Sequence, residues 1–465
     1  MGLFVVRHQH AAESCPAQDP YMGAMLLNHL SRPNVRQYGV TIQGEAVVHG
    51  EHTLYFIAEA DDESRLRALM APFQMAGSVD IYPASTCARV VASGGCGAAI
   101  PETGPESVLD PEDACQQAIE AGLVVHRAHP LNCETSIPAL LGGVVMPNAR
   151  FYLRNHFAMP ALQAEAFRLT VSGLVERPLS VSLRDLHNMR SQTLVATLEC
   201  AGNGRSMFQP PIDGEKWNLG AVSTAEWTGV PLAEVLDRAG VRSRAREVVF
   251  RGADGGVVDN QADPIRFERS LQLREARDEN VLLAYAMNGE PLPVQHGYPL
   301  RLIVPDWYAV ASVKWLTEIT VLDRPFTGHY QTDKYWYEWE RDSGTVRAPV
   351  TLQQVRSLIT EPAAGGEVPR GQMIIRGVAW SGAALIAHVE VCVNGGAWQR
   401  ARLVGERMRH RWQWWELTAD FDEPGEVTCA ARATDLAGRT QPERAEWNRL
   451  GYGNNAITPV PIRIV

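Results

Sequence analysis

The sequence predicts an α+β protein built in three parts, and three observations carry that prediction. The first hundred residues order their elements βαββαβ, the arrangement of a ferredoxin-like module. Residues 130–340 mix buried strands, short helices and turns into a central α+β domain. From 341 to 465 short strands alternate with turns at Asn394-Gly395-Gly396 and Asp435-Leu436-Ala437-Gly438, the spacing of a β-sandwich. At 465 residues the chain is too long for one ordinary core.

In the first part, Leu3 to Val6 reads as a strand and Pro20 to Leu30 as a helix. Gln37 to Gly44 and His52 to Ala60 read as strands. Asp61-Asp62-Glu63 places acids in the first turn of a helix reaching about Ala71, and a strand follows from Val79 to Val91. His8 and His10 could ligate a metal. Core or surface histidines are the commoner reading, and no chemistry is assigned to this module. The acid and Pro content of Pro101 to Pro111 predicts a linker, set at 101–129, with a short helix from Glu112 to Ala121.

Composition excludes several classes. A formal net charge of −10 argues against nucleic acid or an anionic membrane as partner, and no apolar run is long enough to span a bilayer. The eight cysteines show no CxxC, CxxCH or zinc spacing, so no haem attachment is encoded. The N-terminus carries no signal-peptide pattern, which predicts a cytoplasmic protein with reduced thiols.

One stretch organises the centre. Gln192 to Leu198 reads as a buried strand, and the chain then turns on Gly202, Asn203 and Gly204. Cys200 thus sits where a strand opens into a polar loop, beside Arg205. A neighbouring cation favours the thiolate, the form that binds metals. A free Cys is otherwise a small buried hydrophobe, and the loop alone does not separate the two.

The run Cys200-Ala201-Gly202-Asn203-Gly204-Arg205 resembles the molybdenum-ligand loop of the sulfite oxidase family of molybdopterin enzymes, and further segments follow in the family's order. Phe151-Tyr152-Leu153-Arg154-Asn155-His156 is similar to F-x-x-R-N-H. The resemblance implies that Arg154 faces a substrate oxyanion while Asn155 and His156 hold the cofactor. Trp217 to Thr224 is similar to W-x-x-G-A-x-S-T, which makes Trp217 a wall of the anion pocket, with core packing as the other reading. Phe250 to Asp254 resembles F-x-G-x-D, with Asp254 accepting from the pterin. His296, Arg301, Ser312 and Lys314 match the family's grip on phosphate and pterin. Ala311 stands where the family has an arginine, so the clamp is one charge weaker or is completed from elsewhere. Lys314 is placed on a strand closing through Val313 to Leu316.

Tyr335 matches the family's tyrosine at the metal, with Tyr337 and Tyr330 as competitors. Trp447-Asn448-Arg449-Leu450-Gly451 shifts the arginine of W-N-x-R-G by one, making Arg449 the candidate third anion contact. Gly204 replaces one of two arginines usual in the animal enzymes. Gly377 to Gly382 and Val389 to Gly396 resemble the family's immunoglobulin-like dimerisation domain. Trp412, Trp414 and Trp415 are assigned to core and interface.

The resemblance therefore implies a molybdenum–molybdopterin cofactor ligated by Cys200, without haem. It implies oxidation of sulfite to sulfate, with Arg154, Arg205 and Tyr335 as catalytic residues. Electrons pass to an external acceptor such as a cytochrome c, and the chain forms a homodimer. The alternatives are a sulfur-chain dehydrogenase, reductive oxygen removal, or a non-catalytic scaffold with an impaired pocket.

Overall fold

The structure, a computed structural model, describes residues 2–10, 15, 20–48, 51–74, 77–84, 110–259, 261 and 263–465. It is strand-rich and mixed α/β. The chain forms two compact units, 1–101 and 102–465.

The first unit is a four-stranded antiparallel sheet of β1 (Gly2–His10), β2 (Val40–Val48), β3 (Thr53–Ala60) and β4 (Gly77–Ala84), in the order β2-β3-β1-β4. Phe4, Val6 and His8 of β1 lie on one face because strand side chains alternate. The apolar pair packs with Leu66, Leu69, Met70 and Phe73 of the helix Glu63–Gln74. The strand expected from Gln37 begins only at Val40. Arg32–Gln37 is instead a short helix, with Ser31 at its N-cap and Pro33 in its first turn, where a missing N–H costs nothing. The strand expected to Val91 is described to Ala84; its remaining residues lie outside the described ones.

The second unit starts earlier than residue 130. Asp110 caps the helix Pro111–Glu120 by accepting from Glu112 N at 2.8 Å. Strand Leu123–Arg127 then pairs with Asn132–Thr135. The linker expected over 101–129 therefore ends before Asp110, and 101–109 lie outside the described residues.

Two central sheets follow. One has the order Glu290–Pro291, Leu282–Met287, Val222–Pro231, Gln192–Glu199, with Arg301–Ile303 also pairing Leu282–Met287. The other runs Ile265–Gln272, Glu247–Gly256, Leu316–Leu322, Arg168–Gly173, Leu179–Ser182. Helix Leu232–Ala239 buries Leu232, Val235, Leu236 and Ala239, one stripe at helical spacing, in the main core. Ser182 caps Leu183–His187 through a capping box with Asp185. Residues 356–464 add two further sheets, and side chains from both, among them Ile375, Trp415, Val389 and Ile462, share one core.

Candidate functional site

Cys200 follows directly on the edge strand Gln192–Glu199, which pairs on one side only, with Val222–Pro231. The free side is held by the C-terminal segment. Thr197 N donates to His410 O at 2.7 Å, Trp412 N to Thr197 Oγ1 at 2.8 Å, and Gln353 Nε2 to Thr197 O at 2.9 Å. Glu199 accepts from Arg356 Nη1 at 3.1 Å and from Trp380 Nε1 at 2.9 Å, all three buried. Asn203 Nδ2 reaches Glu199 at 3.0 Å, while its Oδ1 accepts from Ala221 N at 3.2 Å. The turn is thereby clamped at both ends. A Cβ on Gly202 would lie 2.8 Å from the Arg205 guanidinium, and one on Gly204, at φ +82°, would lie 3.1 Å from Arg356. Arg356 thus occupies the space beside position 204, where the family's second arginine would begin.

Two cavities meet at Cys200. The inner one is narrow, about 60 Å³, and is lined by Asn155, His156, Cys200, Asp254, His296, Arg301, Ser312 and Lys314. These are the eight residues that the sequence assigned to the cofactor, drawn from strands and turns up to 159 positions apart. Lys314 Nζ donates to Asn155 Oδ1 and, at 3.0 Å, to Gln295 O. Arg301 donates to His296 O at 2.8 Å and Ser312 O at 3.3 Å, and lies over the Trp227 ring at 4.7 Å. Lys314 is not on a strand. The strand starts at Leu316, after Trp315 takes a left-handed φ of 49°. Ala311 packs in the core.

Burial sets the electrostatics of this pocket. It lowers His296 to about 3 and Arg301 to about 10, and it pushes Lys314 well below the usual ammonium range, with Arg301 adding to the fall. Burial raises Asp254 to about 6, against the pull of Lys314.

The outer cleft, about 940 Å³, is lined by all five substrate candidates, Arg154, Arg205, Trp217, Tyr335 and Arg449. Arg154 belongs to a segment that the hairpin steers: Leu153 and Cys133 exchange backbone bonds, and Asn155 N donates to Asn132 Oδ1 at 2.7 Å. Burial opposes the Arg154 charge, yet Tyr335, Cys200 and Glu215 tip its pKa upward. Arg205 is buried, donates to Gly451 O at 3.2 Å and Glu215 O at 3.1 Å, and lies over Tyr452 at 5.0 Å. Trp217 is fully buried with its ring against His126, so it serves core and wall together. Tyr335, at φ 61°, sets its hydroxyl 2.6 Å from His156 Nε2 and stacks on Tyr452 at 4.9 Å. Burial, partly offset by Arg154, keeps that phenol protonated; burial, with Arg154 and Lys314, keeps His156 neutral. Tyr330 lines the cleft too, whereas Tyr337 does not.

One expectation changes. Burial raises the Cys200 thiol pKa in spite of Arg154 and Arg205, so the cations do not by themselves make a thiolate. A metal bound at the sulfur would displace the proton. Arg449 is tied to Glu338 and is 60% exposed in its side chain, so it stands at the rim already paired. Three residues had no local signal: Tyr452, Arg356 and the buried Arg269, which lies over the Tyr335 ring at 5.7 Å.

An oxidoreductase molybdopterin binding domain matches residues 156–330, and a Mo-co oxidoreductase dimerisation domain matches 348–464. Residues 3–95 match a domain of unknown function. Mitochondrial sulfite oxidase of Rattus norvegicus is 34% identical over 390 residues, covering 77% of this chain and 70% of that protein. The chain belongs to the sulfite oxidase family. Other relatives of this sulfite oxidase family chain include nitrate reductase [NAD(P)H] of Betula pendula, 31% identical over 75% of this chain and 43% of that one. The sulfane dehydrogenase SoxCD of Paracoccus pantotrophus has a similar structure, with TM-score 0.65 and 28% identity over 78% of this chain and 92% of that chain.

As a sulfite oxidase family member the protein is a molybdopterin oxidoreductase, and its cofactor is molybdenum–molybdopterin. The inner pocket fits such a group. Asp254 Oδ1 and Arg301 Nε are buried there without a hydrogen-bond partner among the described residues. That leaves an acceptor and a donor free for a polar ligand in a place where unpaired groups are costly.

Proposed function

We propose that the protein oxidises sulfite to sulfate and passes the electrons to an external acceptor such as a cytochrome c. The observation that carries this reading is the meeting of the two cavities at Cys200, one lined by the cofactor candidates and the other by Arg154, Arg205 and Tyr335. In the reading, Asn155, His156, Asp254, His296, Arg301, Ser312 and Lys314 hold the pterin and its phosphate, and Cys200 ligates molybdenum. Bound there, the cofactor supplies oxygen-atom transfer and takes up two electrons. Sulfite and water become sulfate, two protons and two electrons. Arg154 and Arg205 hold the oxyanion, orienting it and balancing its charge. Tyr335, protonated and 2.6 Å from His156 Nε2, would hold its hydroxyl on the cleft side of Cys200, where it can donate to the oxyanion when His156 Nε2 carries the proton of their shared bond. Trp217 closes the wall behind.

The β2-β3-β1-β4 order supports a ferredoxin-like reading of the first unit, and the paired sheets over 356–464 support an immunoglobulin-like domain that dimerises the chain. Sedimentation of the full chain should give twice its mass.

The width of the outer cleft favours a second reading, because about 940 Å³ is far more than a small oxyanion needs. SoxCD, similar in structure, is named a sulfane dehydrogenase, and a sulfur-chain substrate would use that room. One anaerobic titration separates the two. Sulfite added to the molybdenum-loaded protein should bleach the metal's absorption and yield sulfate. Unchanged absorption with sulfite, but bleaching with a protein-borne or organic persulfide, selects the second reading.

A further inference from the structure

The first unit contains a cluster that the redox centre does not use. His10 ends β1, His52 stands in the turn before β3, and Cys15 follows β1 in sequence. Their ligand atoms, one ring nitrogen from each histidine and the cysteine sulfur, all lie within 4.8 Å of one another. Cys15 is a free thiol, half-buried. His10 N donates to His52 O at 3.2 Å, so the two histidines are tied through the backbone.

His8 shows what a merely structural histidine looks like here. It lies on the same face of β1, is buried, and sets Nδ1 3.0 Å from Ser78 O. His10 stacks on it with ring centroids 5.2 Å apart, but both ring nitrogens of His10 are buried with no partner among the described residues. Buried polar atoms are nearly always bonded, so two orphans on one ring call for a ligand. A lone-pair nitrogen beside another imidazole and a thiol is the donor set of a borderline-soft metal ion.

We propose that His10, Cys15 and His52 bind a zinc-type divalent ion, clipping Cys15 to the end of the β1–β3 ladder. Zn–N distances of about 2.0–2.1 Å and a Zn–S distance of about 2.3 Å put two nitrogens and a sulfur in tetrahedral positions roughly 3.3–3.6 Å apart, so the donors need close by no more than about 1.5 Å. Three protein ligands leave the fourth position to water or another donor. His8, stacked behind His10, fixes the orientation of the liganding ring.

The test uses the full-length protein, loaded with Zn²⁺ or Co²⁺ and then freed of loose metal. About one equivalent of zinc per chain should remain, besides molybdenum. Co²⁺ should give a sulfur-to-metal charge-transfer band. Cys15→Ser, which leaves the sheet untouched, should abolish that band. It should also weaken zinc binding by more than the about 100-fold typical of losing an outer partner. His52→Gln should lose zinc likewise, with circular dichroism and molybdenum content unchanged in both variants. Less than about a tenth of an equivalent of zinc in the unaltered protein overturns the proposal. So does zinc content equal in the unaltered protein and both variants, which would mark an adventitious ion only.

Discussion

The inner pocket and the outer cleft share Cys200, but the pocket and the rim of the cleft treat their cations differently. Inside, Arg301 keeps an unpartnered Nε, and Lys314 is depressed by burial and by its cationic neighbour. Outside, Arg449 is exposed and already bonded to Glu338. A cation that the protein has not neutralised, held out of water, has most of its interaction left for a ligand. A solvated, paired one has little left. The contrast ranks the arginines of this site by environment, where motif matching ranks them by position.

The largest effect should come from Cys200, where the two regions meet. Cys200→Ser should abolish turnover with the fold intact, and an active variant would remove the assignment. Next is the clamp behind it. Glu199→Ala leaves Arg356 buried without its carboxylate, which should cost about 3–5 kcal/mol of stability, read from chemical unfolding. A loss below about 1 kcal/mol would mean that the pair behaves like a surface bridge.

Arg154→Gln should lower kcat/KM by about 100-fold, since a charge-assisted bond is worth about 1.5–3 kcal/mol. Added sulfate should compete in the parent and less so in the variant.

The inner pocket has a pH signature of its own. The folded His296 value, about 3, lies below the ordinary 6.5. The unfolded chain therefore binds a proton that the folded one refuses. This stability is full above about pH 6.5 and is lost as pH falls towards 3. Urea midpoints from about pH 7 to 4 should fall less steeply in His296→Gln. Identical slopes would show that His296 does not carry the effect.

The smallest effect should be at the rim. Arg449→Ala should change kcat/KM by less than about fivefold, the range of an exposed ion pair. A loss as large as that of Arg154→Gln would make Arg449 a third anion contact and erase the contrast between the regions.

Much of the site was readable because its side chains sit in short local patterns. Phe151 to His156 and Cys200 to Arg205 each carry turn residues and charges within six positions, and the strand entering Cys200 shows as an apolar run. Arg356 and Tyr452 reach the site from 157 and 247 positions beyond Glu199 and Arg205, as two isolated residues in unremarkable sequence. Such placements are set by packing between sheets, which leaves no periodic trace. The hairpin Leu123–Arg127 with Asn132–Thr135 escaped for a related reason: its strands are short, and their pairing partner only becomes apparent beside Leu153. At Cys200 the sequence reveals a neighbouring arginine but not the depth of burial that outweighs it.

The tether on the edge strand has a consequence for descent. Thr197 and Glu199 take their partners from Gln353, Arg356, Trp380, His410 and Trp412, so the ligand loop and the C-terminal segment form one heritable block. A recombinant that joined residues 110–340 of this chain to the tail of a distant relative would bring together a buried carboxylate and a strand edge whose matching donors and acceptor had been left behind. Exchange of modules at the 340 boundary should therefore be tolerated only where those five contacts travel with the tail.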